Sequence, residues 1–106
     1  MTHEQYLQEF KRITDEMYEL TKRKNADYAH GDDAFANFKA ASLMGVGTVE
    51  QGFFTRMTDK MMRLGTFINK GELQVKDEAV TDTLQDLAVY SILLAIYIKS
   101  ENTNCE

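Results

Sequence analysis

No proline occurs anywhere in the 106 residues of this chain. Nothing therefore breaks a helix from within, and every reversal must be built from Gly, Asn, Asp and Ser. Apolar periodicity then decides the fold class. Tyr6, Phe10, Ile13, Met17 and Leu20 recur at steps of four and three, which predicts a helix over 3–24. Thr2 and Gln5 fit a capping box at its start, and Lys22, Arg23 and Lys24 suit the negative end of its dipole. The polar stretch 25–33, NADYAHGDD, reads as a loop. A short helix over 34–44 follows, with Asp33 as N-cap, Phe35 and Phe38 inward, and Gly45 and Gly47 to end it.

Thr48 and Gln51 form a second capping-box pair before a helix over 49–70. Phe53, Met57, Met61, Leu64 and Ile68 make its apolar stripe, and Gly71 its stop. A last helix is predicted over 78–100, with Asp77 as N-cap. Its second half is apolar almost all round, which assigns it the central position. Residues 101–106 read as a frayed tail. The expectation is an all-α fold: a compact helical bundle of three long helices and one short one, forming a single domain over 1–100. A chain of 106 residues supports one core. An all-round apolar helix asks for more cover than three neighbours give, so completion by a homo-oligomer is expected.

Charge narrows the partners. Twelve Lys and Arg stand against 17 Asp and Glu, a formal charge of −5. That balance disfavours binding to a DNA or RNA polymer, whose phosphates need a basic surface. The single cysteine, Cys105, excludes an internal disulfide and a Cys-based zinc site, and suits a reducing cytoplasm. The chain opens Met-Thr-His-Glu-Gln and runs straight into amphipathic sequence, unlike a signal peptide. The longest apolar run, 87–98, is too short to cross a membrane.

Three features could carry chemistry. Asp82 and Asp86, four apart, share a helix face with Val89, Tyr90 and Leu93. Carboxylates in line with an apolar stripe need a reason. Asp82 could stabilise a first turn, and Asp86 could pair with a neighbouring helix. Alternatively the two bind Mg²⁺ or contact a ligand. Arg56, Lys60 and Arg63 lie at i, i+4 and i+7, with Asp59 beside them. Read blandly, they are a solvated face with an Asp59–Arg63 pair. Read with the acidic pair, they are a phosphate clamp, Arg as a planar fork and Lys as a point charge. The third feature is Asn25, Asp27, Tyr28 and His30, with Asn37 beyond. They are ordinary turn formers, and also the amide, carboxylate and stacking ring that read a nucleobase or sugar.

These pieces occur together in a known family. KNADYAHGDDAFANF (24–38), RMTDKMMRL (56–64) and DTLQDLAVYSILL (82–94) resemble the phage and prophage proteins called nucleotide modification associated domain 1, a small all-helical family. More distantly, the layout is similar to the MazG-type all-α nucleoside triphosphate pyrophosphohydrolases, oligomers that hold Mg²⁺ with an E-x-x-E helix and an E-x-x-D helix. Carried over by position, Asp86 matches the final acid of that second motif. Thr83 holds the other place, with Asp82 one residue early. The first motif is replaced by Arg56, Asp59, Lys60 and Arg63. Two-metal hydrolysis needs a dense carboxylate cluster. Here only Asp59, Asp82 and Asp86, with Glu78 nearby, are available.

The resemblance implies a phage-type protein in a bacterial host's cytoplasm that holds a small phosphorylated nucleotide between helices or protomers. Arg56, Lys60 and Arg63 would grip phosphates, Asn25, Asp27, Tyr28 and Asn37 the base or sugar. Asp59, Asp82 and Asp86 would orient ligand or metal, with Mg²⁺ the expected ion. By analogy such a protein could sequester a host immune nucleotide signal. The alternatives are a Mg²⁺-dependent nucleoside triphosphate pyrophosphohydrolase and a structural or protein-interaction helical module.

Overall fold

The computed structural model describes residues 1–28, 33–71 and 79–103, without the side chains of Asp27, Tyr28 and Thr103. Helix makes up 87% of them, and they include no strand, so the fold is all-α. The helices are α1 (His3–Tyr28), α2 (Ala36–Leu43), α3 (Val49–Lys70) and α4 (Val80–Thr103). The chain divides into two units, Met1–Ala36 and Asn37–Glu106.

In the first unit, α1 starts with the expected capping box. The Gln5 backbone N–H donates to Thr2 Oγ1 at 3.1 Å, and the Thr2 N–H donates to Gln5 Oε1 at 2.8 Å. The helix does not stop at Lys24. It continues through Asn25, Ala26, Asp27 and Tyr28, so the first four residues of the expected loop are helical. Turn-forming composition is not a breaker, and no Gly or Pro comes before Gly31. The side-chain amide of Asn25 also donates to the Ala34 carbonyl at 2.9 Å, tying the end of α1 to the chain that follows. The covered line of α1 runs through Ile13, Met17, Thr21 and Asn25, and only Met17 is fully buried. Tyr6, Phe10 and Leu20, expected on the inward stripe, are exposed.

Asp33 opens α2 differently from a simple N-cap. Its carboxylate accepts from the Phe35 N–H at 3.0 Å and its carbonyl from the Ala36 N–H at 3.2 Å. This side-chain turn delays the helix to Ala36, two residues after the expected start.

In the second unit, α2 ends in a Schellman motif. The Gly45 N–H bonds the Ser42 carbonyl and the Val46 N–H bonds the Ala41 carbonyl, with Gly45 at φ 78°. Gly47 follows at φ 115°, and a Cβ there would meet Gln51 Oε1 at 2.8 Å. That oxygen is already used: it accepts from the Thr48 N–H at 2.8 Å, while Thr48 Oγ1 accepts from the Gln51 N–H. The second capping box and both expected bounds of α3 are observed, with Gly71 at φ 77° as its stop.

α3 and α4 pack together. Phe53 and Arg56 meet Tyr90, while Lys60, further along α3, meets Asp86, earlier on α4. The two helices are therefore antiparallel. Val49 and Phe53 on α3 and Thr83 on α4 are buried, and the Phe38 ring from α2 stacks on Phe53 with centroids 4.4 Å apart. The covered side of α3 includes Phe53, Met57 and Leu64 as expected, but also Lys60 and Phe67. Met61 and Ile68 face solvent instead, because α3 is apolar on two sides and only one is covered.

α4 begins at Val80, and the expected N-cap Asp77 lies outside the described residues, as do Glu78, His30 and Cys105. It runs through Thr103, so 101–103, expected as tail, are helical. Its expected central position is not realised within one chain. Among the described residues Thr83 is its only fully buried one, and Leu84, Ile92, Ile96 and Ile98 are exposed.

Candidate functional site

The site is built on the second to fourth turns of α3. Arg56 projects from that helix and lies over two rings, with its guanidinium carbon 4.8 Å from the Phe38 centroid and 5.8 Å from that of Tyr90. Both rings are fixed by Phe53, which is 0% exposed: Phe38 stacks on it at 19°, and Tyr90 meets it edge-on at 69° with centroids 6.5 Å apart. Three helices thus supply one aromatic seat for one guanidinium. Guanidinium over an aromatic face is favourable, and it leaves the edge of the fork, with its N–H groups, turned to other partners. Arg56 has no carboxylate partner among the described residues.

The next two cations of the row are paired. Lys60 Nζ lies 3.2 Å from Asp86 Oδ2, with side-chain exposures of 15% and 34%. This is the interhelical ion pair that the sequence allows for Asp86. Arg63 Nε lies 3.4 Å from Asp59 Oδ2 on the same helix. Asp82 is exposed in the first turn of α4, where it favours the helix dipole. Between Asp82 and Asp86, Thr83 is 0% exposed, and its Oγ1 makes no hydrogen bond among the described residues.

Of the residues expected at a site, Asn37, Arg56, Asp59, Lys60, Arg63, Asp82 and Asp86 belong to the second unit. Asn37 is half-buried in the first turn of α2. Asn25, Asp27 and Tyr28 belong to the first unit. There Asn25 bonds the Ala34 carbonyl, and the side chains of Asp27 and Tyr28 lie outside the described residues. Among the described residues no three His, Cys, Asp or Glu side chains come together as a metal-binding group. The expectation did not include Phe38 and Tyr90 as the seat of Arg56. Their apolar, helix-facing positions are legible, but nothing in their spacing shows that they meet over one guanidinium.

Compared with models of protein families, with curated proteins and with solved structures, the chain matches none. Among the described residues no helix is long and apolar enough to cross a membrane.

Proposed function

We propose that this protein binds a small phosphorylated nucleotide, with Arg56 as its phosphate grip. One observation carries the reading: a guanidinium held on two aromatic rings without a carboxylate among the described residues. An arginine that rests on aromatic rings keeps its N–H edge for two phosphate oxygens, which it meets as a fork. Lys60 and Arg63 lie along the same face, each paired with a carboxylate that a phosphate would displace, and Asp82 and Asn37 offer an acceptor and an amide for sugar or base. The resemblance to the phage nucleotide-associated family supports a nucleotide as the ligand. It also gives the setting, a phage protein sequestering a nucleotide signal of its bacterial host.

Binding is favoured over hydrolysis by the acids. Asp86 is paired with Lys60 and Asp59 with Arg63. The position that carries a metal-binding Glu in the MazG-type pattern is Thr83, which is fully buried. A Mg²⁺ ion would have Asp82 as its exposed anchor and would arrive with the nucleotide's own phosphates.

A thermal-shift panel of nucleoside mono-, di- and triphosphates and cyclic nucleotides, with and without Mg²⁺, tests the proposal. A ligand at about 100 times its Kd stabilises by about 2.7 kcal/mol. The expected outcome is a stabilising nucleotide that is recovered intact, with the shift abolished by Arg56→Ala. Recovery as monophosphate plus pyrophosphate, only with Mg²⁺, would replace binding by pyrophosphohydrolysis. Silence across the panel would leave the reading that the Lys60–Asp86 and Asp59–Arg63 pairs favour, a helical interaction module whose charges serve only each other.

A further inference from the structure

The cations of the α3 row differ in what they can offer an anion. Arg56 rests on the Phe38 and Tyr90 rings and meets no carboxylate among the described residues. Lys60, one turn on, is held 3.2 Å from Asp86. Arg63, a further turn on, lies 3.4 Å from Asp59. The charge that no carboxylate among the described residues balances is therefore the guanidinium of Arg56.

Asp86 sets that count next to Arg56. It stands one turn of α4 before Tyr90, as Lys60 stands one turn of α3 after Arg56. The ion pair is thus the next layer of the α3–α4 interface beyond the aromatic seat. The Lys60 side chain is only 15% exposed, so water is a poor substitute for its carboxylate. A second phosphate reaching along the row has to take Lys60 from Asp86. It then leaves that carboxylate, half-buried, against its own negative charge. Like charges repel strongly where water is partly excluded. One phosphate group at Arg56 meets no such opposition.

A guanidinium fork gives two parallel N–H bonds. A phosphodiester has two free oxygens and one negative charge, so it matches the fork in both. A phosphomonoester adds a third oxygen and, above a second pKa of about 6, a second charge. A triphosphate adds more of each. Resting on the reading of Arg56 as a phosphate grip, we propose that the phosphate it takes is a nucleotide phosphodiester, and that Asp86 is the specificity-determining residue that turns polyphosphates away.

Isothermal titration calorimetry on the whole chain, without divalent cations, tests this. The ligands, for each base, are the cyclic mononucleotide, a linear dinucleoside monophosphate, the monophosphate and the triphosphate. In the wild type one of the two diesters should bind about tenfold or more tighter than the triphosphate of the same base. Which diester it is tells a cyclic from a linear source. Asp86→Asn frees Lys60 and should narrow that ratio about tenfold. Both ligands are read on one variant, so a loss of stability cancels from the ratio. The wild type gives a second reading that needs no substitution. As pH falls through about 6 the monophosphate loses a charge and should gain affinity relative to the diester, whose charge stays the same.

A wild type that binds triphosphate as tightly as diester overturns the proposal and leaves Arg56 as a phosphate grip. An unchanged ratio in Asp86→Asn, or a monophosphate that gains nothing over the diester in mild acid, overturns it as well. If no nucleotide binds at all, the nucleotide reading falls and takes this proposal with it.

Discussion

Arg12 and Arg56 both sit in the middle reaches of long helices, and they are held in opposite ways. Arg12 on α1 is saturated with carboxylate from its own helix: Nη2 lies 2.8 Å from Glu9 and Nη1 2.6 Å from Glu16. Arg56 on α3 has no carboxylate among the described residues and rests instead on rings from α2 and α4. The first arrangement is local. It needs one turn of helix in each direction, and every group in it is solvated, so it adds little to the fold. The second arrangement exists only when three helices are packed. A cation that depends on tertiary structure for its position and meets no carboxylate among the described residues is the better candidate for a ligand site.

The largest expected effect comes from removing what supports the second arrangement. Phe53 is 0% exposed and touches both rings under Arg56. Phe53→Ala should cost about 3–5 kcal/mol in denaturant unfolding. Phe53→Leu keeps most of the volume but neither ring contact. It should stay folded and yet weaken any nucleotide-dependent shift that Arg56 confers.

Next come the two ion pairs of α3, which repeat the contrast within one helix. Asp86→Ala leaves the 15%-exposed Lys60 side chain without its acceptor and should cost about 1–3 kcal/mol. Asp59→Ala breaks a pair whose Arg63 and Asp59 side chains are 39% and 58% exposed, and should change stability by less than about 0.5 kcal/mol. Replacing Lys60 and Asp86 together by Met and Leu should recover most of the loss, since even a fully buried pair exchanged for apolar side chains is often neutral and this one is only partly buried. Unfolding midpoints of these variants on one denaturant scale check the order. Equal losses for Asp86→Ala and Asp59→Ala would remove the distinction between tertiary and local pairing.

The sequence shows the same division. Both capping boxes, the bounds of α3 and the basic row at 56, 60 and 63 can be read directly, because each depends on residues within one or two turns of each other. What cannot be read depends on which side of a helix is covered. Met61 and Ile68 fit the apolar period of α3 as well as Met57 and Leu64 do, and periodicity alone does not choose between two apolar sides. Lys60 marks the covered side only once Asp86 is known to lie opposite, 26 residues on. The end of α1 escapes the sequence for a different reason. Asn and Asp are common in turns, but in the absence of Gly or Pro they do not prevent a helix from running through them.

Thr83 separates burial from partnership. It is as buried as Phe53, yet its hydroxyl is unbonded among the described residues. Thr83→Val keeps the shape and removes the unpaired group, so it should stabilise by about 1 kcal/mol in the same titrations. A loss instead would mean that the hydroxyl has a partner when the protein is in solution.

The smallest effect should come from Arg12. The hydrogen bond from Arg12, and then its charge, hold the Glu9 carboxyl below its ordinary range. A carboxylate whose pKa is depressed by folding stabilises the folded state above its unfolded pKa, and that contribution disappears as pH falls through the folded value. The difference in stability between wild type and Arg12→Ala should therefore be small at neutral pH and vanish in acid. Added salt should shrink it as well, since both groups are fully solvated. The loss caused by Arg56→Ala contains no carboxylate contact among the described residues and should be flat through the same acid range. Paired unfolding curves at neutral and acid pH compare them. If the two arginines respond alike to acid, Arg56 has an acidic partner in solution and its claim to a phosphate falls with it.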